Sequence, residues 1–172
     1  MLGWFKLVSA SLAVLLLLVA YLWIWRSARR REPRFNSEAQ RAIAFARVEA
    51  ERLQSPTIES VHLLLGLLHV PVPAIVLHLP LDSHQAIRDE VKDHVGGGAI
   101  VDYRDDLPFS DDARHALVAA AREARGFSTR QIGAEHLMLG LLHSETSLAA
   151  LILRERGLRL DPLRAALAGW QQ

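Results

Sequence analysis

Eight histidines and no cysteine among 172 residues make imidazole the first group to test for chemistry. Two pairs share one spacing, His62 with His69 and His136 with His143. Seven residues along a helix is about 10.5 Å, too far for both rings to hold one zinc ion through bonds of about 2.1 Å. There is no H-E-x-x-H. Glu135 and His136 are sequence neighbours, whose side chains leave a helix about 100° apart. The histidines are therefore expected to be structural or surface residues, with no metal and no cofactor. Lack of cysteine excludes a disulfide framework, thiol catalysis and thiolate metal sites. No G-x-S-x-G elbow singles out a serine nucleophile. No G-x-x-x-x-G-K-[ST] occurs, and the only lysines are Lys6 and Lys92, so these residues carry no P-loop. A non-enzymatic protein is expected.

The net charge of +1 hides two opposite parts. Residues 1–34 hold six Lys or Arg against Glu32, a sum of +5, and the other 138 hold 14 basic and 18 acidic residues, a sum of −4. Neither the total nor the acidic body suits a nucleic-acid binder. From Leu7 to Trp25 run 19 uncharged, mostly apolar residues. As a helix they extend about 28 Å, close to the hydrocarbon core of a bilayer. Trp4 and Phe5 stand at one end and Tyr21, Trp23 and Trp25 at the other, where amphipathic rings favour the interface. A buried core helix and a cleavable signal peptide are the rival readings. The stretch is too uniformly apolar for the first. It is too long for the second, and its aromatic end followed by arginines is a poor cleavage site. The expectation is a single-pass anchor in the inner (cytoplasmic) membrane. Arg26, Arg29, Arg30, Arg31 and Arg34 follow the span and act as the topology signal, keeping the C-terminal body on the cytoplasmic side. They are also placed to hold anionic lipid headgroups.

The body repeats itself. Phe35–His69 aligns without gaps on Phe109–His143 at an offset of 74 residues, and 14 of the 35 positions are identical. Among them are Ala39/Ala113, Ala42/Ala116, Ala46/Ala120, Glu49/Glu123, Ala50/Ala124 and Ile58/Ile132. The densest block is His62-Leu-Leu-Leu-Gly-Leu-Leu-His69 against His136-Leu-Met-Leu-Gly-Leu-Leu-His143.

Each copy reads as helical. A first helix is expected over about Ser37–Leu53, and over about Asp111–Gly126 in the second copy. Asn36 and Ser110 are its N-caps, and the alanine stripe lets another helix approach closely. A Leu-rich helix ending near His69 or His143 follows; being apolar all round, it must be surrounded. Further helices are expected over about Pro73–Leu79, His84–His94, Ser147–Arg156 and Asp161–Trp170. The fold class is all-α: an N-terminal transmembrane helix, then a pseudo-two-fold bundle of about eight helices in two four-helix repeats, with strand signals nearly absent. The boundaries are 1–34 for the anchor and basic segment and 35–172 for the repeat domain. Within it, repeat 1 covers about 35–95, the Gly- and Asp-rich linker about 96–108, and repeat 2 about 109–172.

Arg34-Phe35-Asn36-Ser37-Glu38-Ala39, the alanine-rich helix, and Ile132-Gly133-Ala134-Glu135-His136-Leu137-Met138-Leu139-Gly140-Leu141-Leu142 together resemble the double-repeat N-terminal domain of the Clp/Hsp100 unfoldases. Ala149–Leu158 resembles that family's next helix and turn. In the first copy, Val70-Pro71-Val72-Pro73 replaces the family's polar turn. The resemblance implies a protein-binding module whose partners are Clp unfoldase subunits, adaptors or client proteins. It links them to proteolysis or unfolding, here from the membrane and without ATPase modules. In one branch of the family each repeat binds a phosphorylated arginine: a glutamate of the Ile-Gly-x-Glu-His motif takes the guanidinium, and a hydroxyl residue opening the first helix lies beside the phosphate. Carried over residue by residue, the second repeat keeps Ser110 and Glu135. The first has Asn36 and Val61, and Val61 forms no charge-assisted bond. Asp111 and Asp112 at the helix start are expected to repel a phosphate. A structural membrane scaffold is the alternative from another class.

Overall fold

The computed structural model describes residues 34–70, 79, 81–95, 107–129 and 131–169. The chain divides into Met1–Glu32 and Pro33–Gln172. The first part, with the expected anchor, Arg26 and Arg29–Arg31, lies outside the described residues. So do the expected Pro73–Leu79 helix, apart from Leu79, and residues 96–106 of the linker. Among the described residues no helix is long and apolar enough to cross a membrane.

The described part opens with strand β1 (Arg34–Phe35), then α1 (Ser37–Arg52), α2 (Ser60–Leu68) and α3 (Leu81–Val95). The second repeat supplies α4 (Asp111–Gly126), strand β2 (Gln131–Ile132), α5 (Ala134–Leu142), α6 (Leu148–Glu155) and α7 (Leu160–Gly169). Helix bounds fall within one to three residues of the sequence expectation, the largest difference being at α3, expected from His84 and beginning at Leu81. The strands were not expected, since two residues are too few to show a period-two pattern.

Helices α2 and α5 are buried along almost their whole length, as their leucine content requires. Each lies on the alanine stripe of its repeat's first helix, Ala39, Ala42, Ala46 and Ala50 on α1 and Ala113, Ala116, Ala120 and Ala124 on α4. Small side chains let the backbones come together. A methyl group added at Gly66 would stand 2.7 Å from Ala46 N and closer still to Ala42 O, and one at Gly140 2.9 Å from Ala120 N. Both first helices end in the same turn, with Gln54 at φ 55° and Ser128 at φ 58°, and with Ser55 N–H reaching Ala50 O and Thr129 N–H reaching Ala124 O.

The repeats are tied by their entry segments. β1 pairs in parallel with β2, Arg34 opposite Gln131 and Phe35 opposite Ile132. Phe109, just before α4, forms a parallel bridge with Ile58, just before α2. Each repeat therefore threads the start of its first helix against the second helix of the other, which produces the two-fold relation.

Candidate functional site

The exchange of entry segments decides which of the expected site residues meet. Asn36 caps α1, its Oδ1 accepting from Ala39 N–H at 2.8 Å, and its own N–H donates to Ile132 O at 2.9 Å. Ile132 leads into the start of α5, so Asn36 belongs with the segment that carries Glu135. Ser110 caps α4, accepting from Ala113 N–H at 3.4 Å, and its N–H donates to Ile58 O at 3.0 Å. Ile58 leads into α2, which carries Val61. The hydrogen bonds thus place Ser110 at a junction with the Ile58 segment, and Glu135 on the segment that meets Asn36. Alignment of the repeats matches equivalent positions and is blind to which copies touch.

At the Ser110 junction an internal anion already occupies the helix start. Asp112 accepts from Ser60 Oγ at 2.5 Å, Ser60 N–H at 3.3 Å and Ala113 N–H at 2.9 Å, and also from the Ser110 hydroxyl. Burial acts to raise its carboxyl, but these donors outweigh burial and hold it below its ordinary value. Asp111 faces outward and pairs with Arg114. Beside this carboxylate stands Glu59, the N-cap of α2. Its carboxyl is pushed up, first by burial and then by the charge of Asp112. A phosphate arriving here would meet two acids. Titration of the full chain with phosphoarginine is thus expected to show no saturable binding that depends on Ser110, with Ser110→Gly indistinguishable from the wild type. Saturable binding that is lost in Ser110→Gly would overturn this.

The α5 start corrects the expectation that Glu135 and His136 point apart. Glu135 Oε1 lies 3.1 Å from His136 Nδ1. In the first turn of a helix the carboxylate is drawn back towards the unpaired N–H groups. The Glu135 carboxylate lies over Gly133, in space that any Cβ at 133 would fill. Gly133 N–H donates to His136 Nδ1 at 2.9 Å, and Glu59 N–H donates to His62 Nδ1 at 2.9 Å. Histidine here does the work of the glutamate in a capping box. With Nδ1 accepting, the ring proton sits on Nε2. Burial pushes the His62 imidazole down to about 4, so that ring stays neutral.

His69 and His143, at the ends of α2 and α5, each meet a buried glutamate that the search for chemistry passed over. His69 Nε2 donates to Glu49 Oε1 at 2.9 Å, and His143 Nε2 to Glu123 Oε1 at 2.5 Å. Arg52 Nε adds a bond to Glu49 at 2.8 Å. Glu123 receives a two-pronged fork from Arg164 of α7, Nε at 2.9 Å and Nη2 at 2.7 Å. The Arg164 fork chiefly, with His143 helping against burial, holds the Glu123 carboxyl down at about 2. The signal was present in the sequence: a glutamate on an alanine stripe, 20 residues before a histidine, in both repeats. Of the five arginines read as a topology signal, Arg34 is described, and it forms the first residue of β1.

A family model described as the Clp repeat (R) N-terminal domain matches residues 34–154 and 108–170. The ATP-binding subunit ClpC of the ATP-dependent Clp protease from Staphylococcus aureus (strain USA300) is 31% identical over 134 residues, which are 77% of this chain and 16% of the relative. The chain thus spans about one sixth of the length of the curated relatives it matches. Among solved structures, the N-terminal domain of the chaperone ClpD from Arabidopsis thaliana superposes with a TM-score of 0.63 at 25% identity, over 81% of this chain and 96% of that one. The Hsp104 N-terminal domain from Candida albicans gives 0.58 at 16% identity, over 77% and 87%, a likeness of fold alone.

Proposed function

The chain belongs to the Clp repeat N-terminal domain family, and from that premise we propose that it is a membrane-anchored, non-enzymatic protein-interaction module. The body binds adaptor or client proteins and brings them to a Clp-type unfolding or proteolytic machine, whose subunits are its second class of partner. The observation that carries this reading is the family match across both repeats, residues 34–154 and 108–170. Four of the histidines that invite catalysis cap helices or pair with Glu49 and Glu123.

Anchoring rests on the sequence: the 19 uncharged residues Leu7–Trp25, followed by the arginines that hold the body on the cytoplasmic side of the inner membrane. Two measurements test the whole. Immobilised full chain is expected to retain a Clp subunit, adaptor or client from the cell that makes it, and retention of none of these removes the recruiting role. A reporter fused after Gln172 is expected to be active in the cytoplasm; activity in the periplasm alone reverses the orientation.

A further inference from the structure

The two repeats differ at one surface where their internal symmetry predicts sameness. On α1, the ring of Phe45 stacks on His69, centroids 4.7 Å apart and planes 20° from parallel. The equivalent of Phe45 on α4 is Ala119, and the equivalent of His69 is His143. With the ring removed, α4 and the end of α5 enclose an open groove of about 750 Å³, lined by Ala116, Ala119, His143 and Leu148 and edged by Val118 and Arg122. Val118 is 51% exposed. The repeat-1 equivalent of Arg122 is Val48, so the groove has a cation where repeat 1 has a methyl surface.

Charges around the groove narrow its occupant. Asp111 is paired with Arg114, and Asp112 is turned into the Ser60–Ser110 network. His143 is engaged by Glu123. Arg122 forms no ion pair among the described residues and is exposed. The unsatisfied group at the edge is therefore positive, while the floor is apolar and ends on an imidazole face that another ring covers in repeat 1.

We propose that this groove on the second repeat receives an aromatic side chain of a partner protein, stacked on His143 as Phe45 stacks on His69, with a neighbouring carboxylate of the partner on Arg122. The surface names the recognition element of the interaction module argued above and rests on that reading. In repeat 1 the equivalent imidazole face is already covered by Phe45.

The test uses full chain in lipid nanodiscs and a fluorescein-labelled glycine–serine peptide carrying one phenylalanine flanked by two aspartates. Saturable one-to-one binding is expected, with an upfield shift of the His143 ring protons on NMR. Ala119→Phe, which installs the side chain already tolerated in repeat 1, is expected to weaken binding about tenfold or more, and Arg122→Glu by about tenfold. Replacing the two aspartates with lysines should restore binding to Arg122→Glu. Absence of peptide binding by the wild type, or equal binding by wild type and Ala119→Phe, overturns the groove. If Clp subunits or adaptors are still retained in either case, the interaction module stands without it. If nothing is retained by the wild type, both fall.

Discussion

Gly66→Ala and Gly140→Ala are each expected to destabilise the body by about 3 kcal/mol, the upper end of the cost of overpacking a well-filled core. The sign is what makes the test sharp. At an exposed helical position the same change stabilises by up to about 1 kcal/mol, because alanine loses less backbone freedom than glycine. Here the new methyl group of Gly140 would be driven against Ala116 O and to 2.9 Å from Ala120 N. These are backbone atoms of α4, which cannot rotate away. The helix pair must separate, and separation opens the contact of Leu139, Leu141 and Leu142 with the core, all of them at most 1% exposed. Gly126 is the internal control, since a methyl group there meets nothing within 4 Å. Urea unfolding should therefore show Gly126→Ala neutral or slightly stabilising, and Gly66→Ala and Gly140→Ala with lowered midpoints and similar slopes. Neutral behaviour of Gly140→Ala would mean that the alanine stripe does not hold the two helices at this distance.

The same stripe shows how far the sequence could be read. Alanines at 39, 42, 46 and 50, repeated 74 residues on, are a periodic signal, and periodic signals carry helix identity, buried face and repeat boundaries. N-caps are equally local, which is why Asn36 and Ser110 stand where expected. What failed to show was contact between copies. Ile58 and Phe109 form their bridge across 51 residues, and nothing in either position names its partner. Ser110 and Glu135 show this, since the entry segments are exchanged and Ser110 bonds to the Ile58 segment of the other repeat. Glu135 and His136 were misjudged for another reason: the 100° rule describes side chains in mid-helix, and a carboxylate in the first turn answers to the free N–H groups behind it. Glu49 and Glu123 were visible as identities in an otherwise small-residue stripe. Acids on such a stripe are expensive to bury and so demand partners, an inference the histidines at 69 and 143 would have completed. The difference between Phe45 and Ala119, by contrast, acquires meaning only once the ring is seen lying on His69.

Glu123→Gln is expected to cost about 3 kcal/mol at neutral pH and almost nothing near pH 2. Three elements meet at this carboxylate: α4 carries it, His143 at the end of α5 donates to it, and Arg164 of α7 clasps it with two N–H groups. The carboxylate is 8% exposed and the Arg164 side chain 37%, so water screens the fork from its arginine side only. Its carboxyl titrates at about 2 in the folded chain against an ordinary value of 4.5. Because the folded value is the lower, the stabilisation is fully present above about pH 4.5 and is lost as pH falls from there through about 2. A glutamine keeps the shape and can still accept one hydrogen bond, but it has no charge for Arg164 to pair with and leaves that guanidinium with the exposed Asp161 alone. Wild type and variant should therefore have urea midpoints that are far apart at pH 7 and converge as the acid limit is approached. Arg164→Ala should give a smaller loss over the same window, since His143 still donates to the carboxylate. A Glu123→Gln deficit that stayed constant from pH 7 down to pH 2 would show that the residue acts through packing and not through its charge. The fork would then be no more than a surface ion pair, worth about 1 kcal/mol or less. Convergence would instead make this carboxylate the pin that holds α7 to α4, hydrogen-bonded to the edge of the His143 ring on which the proposed aromatic ligand is to stack.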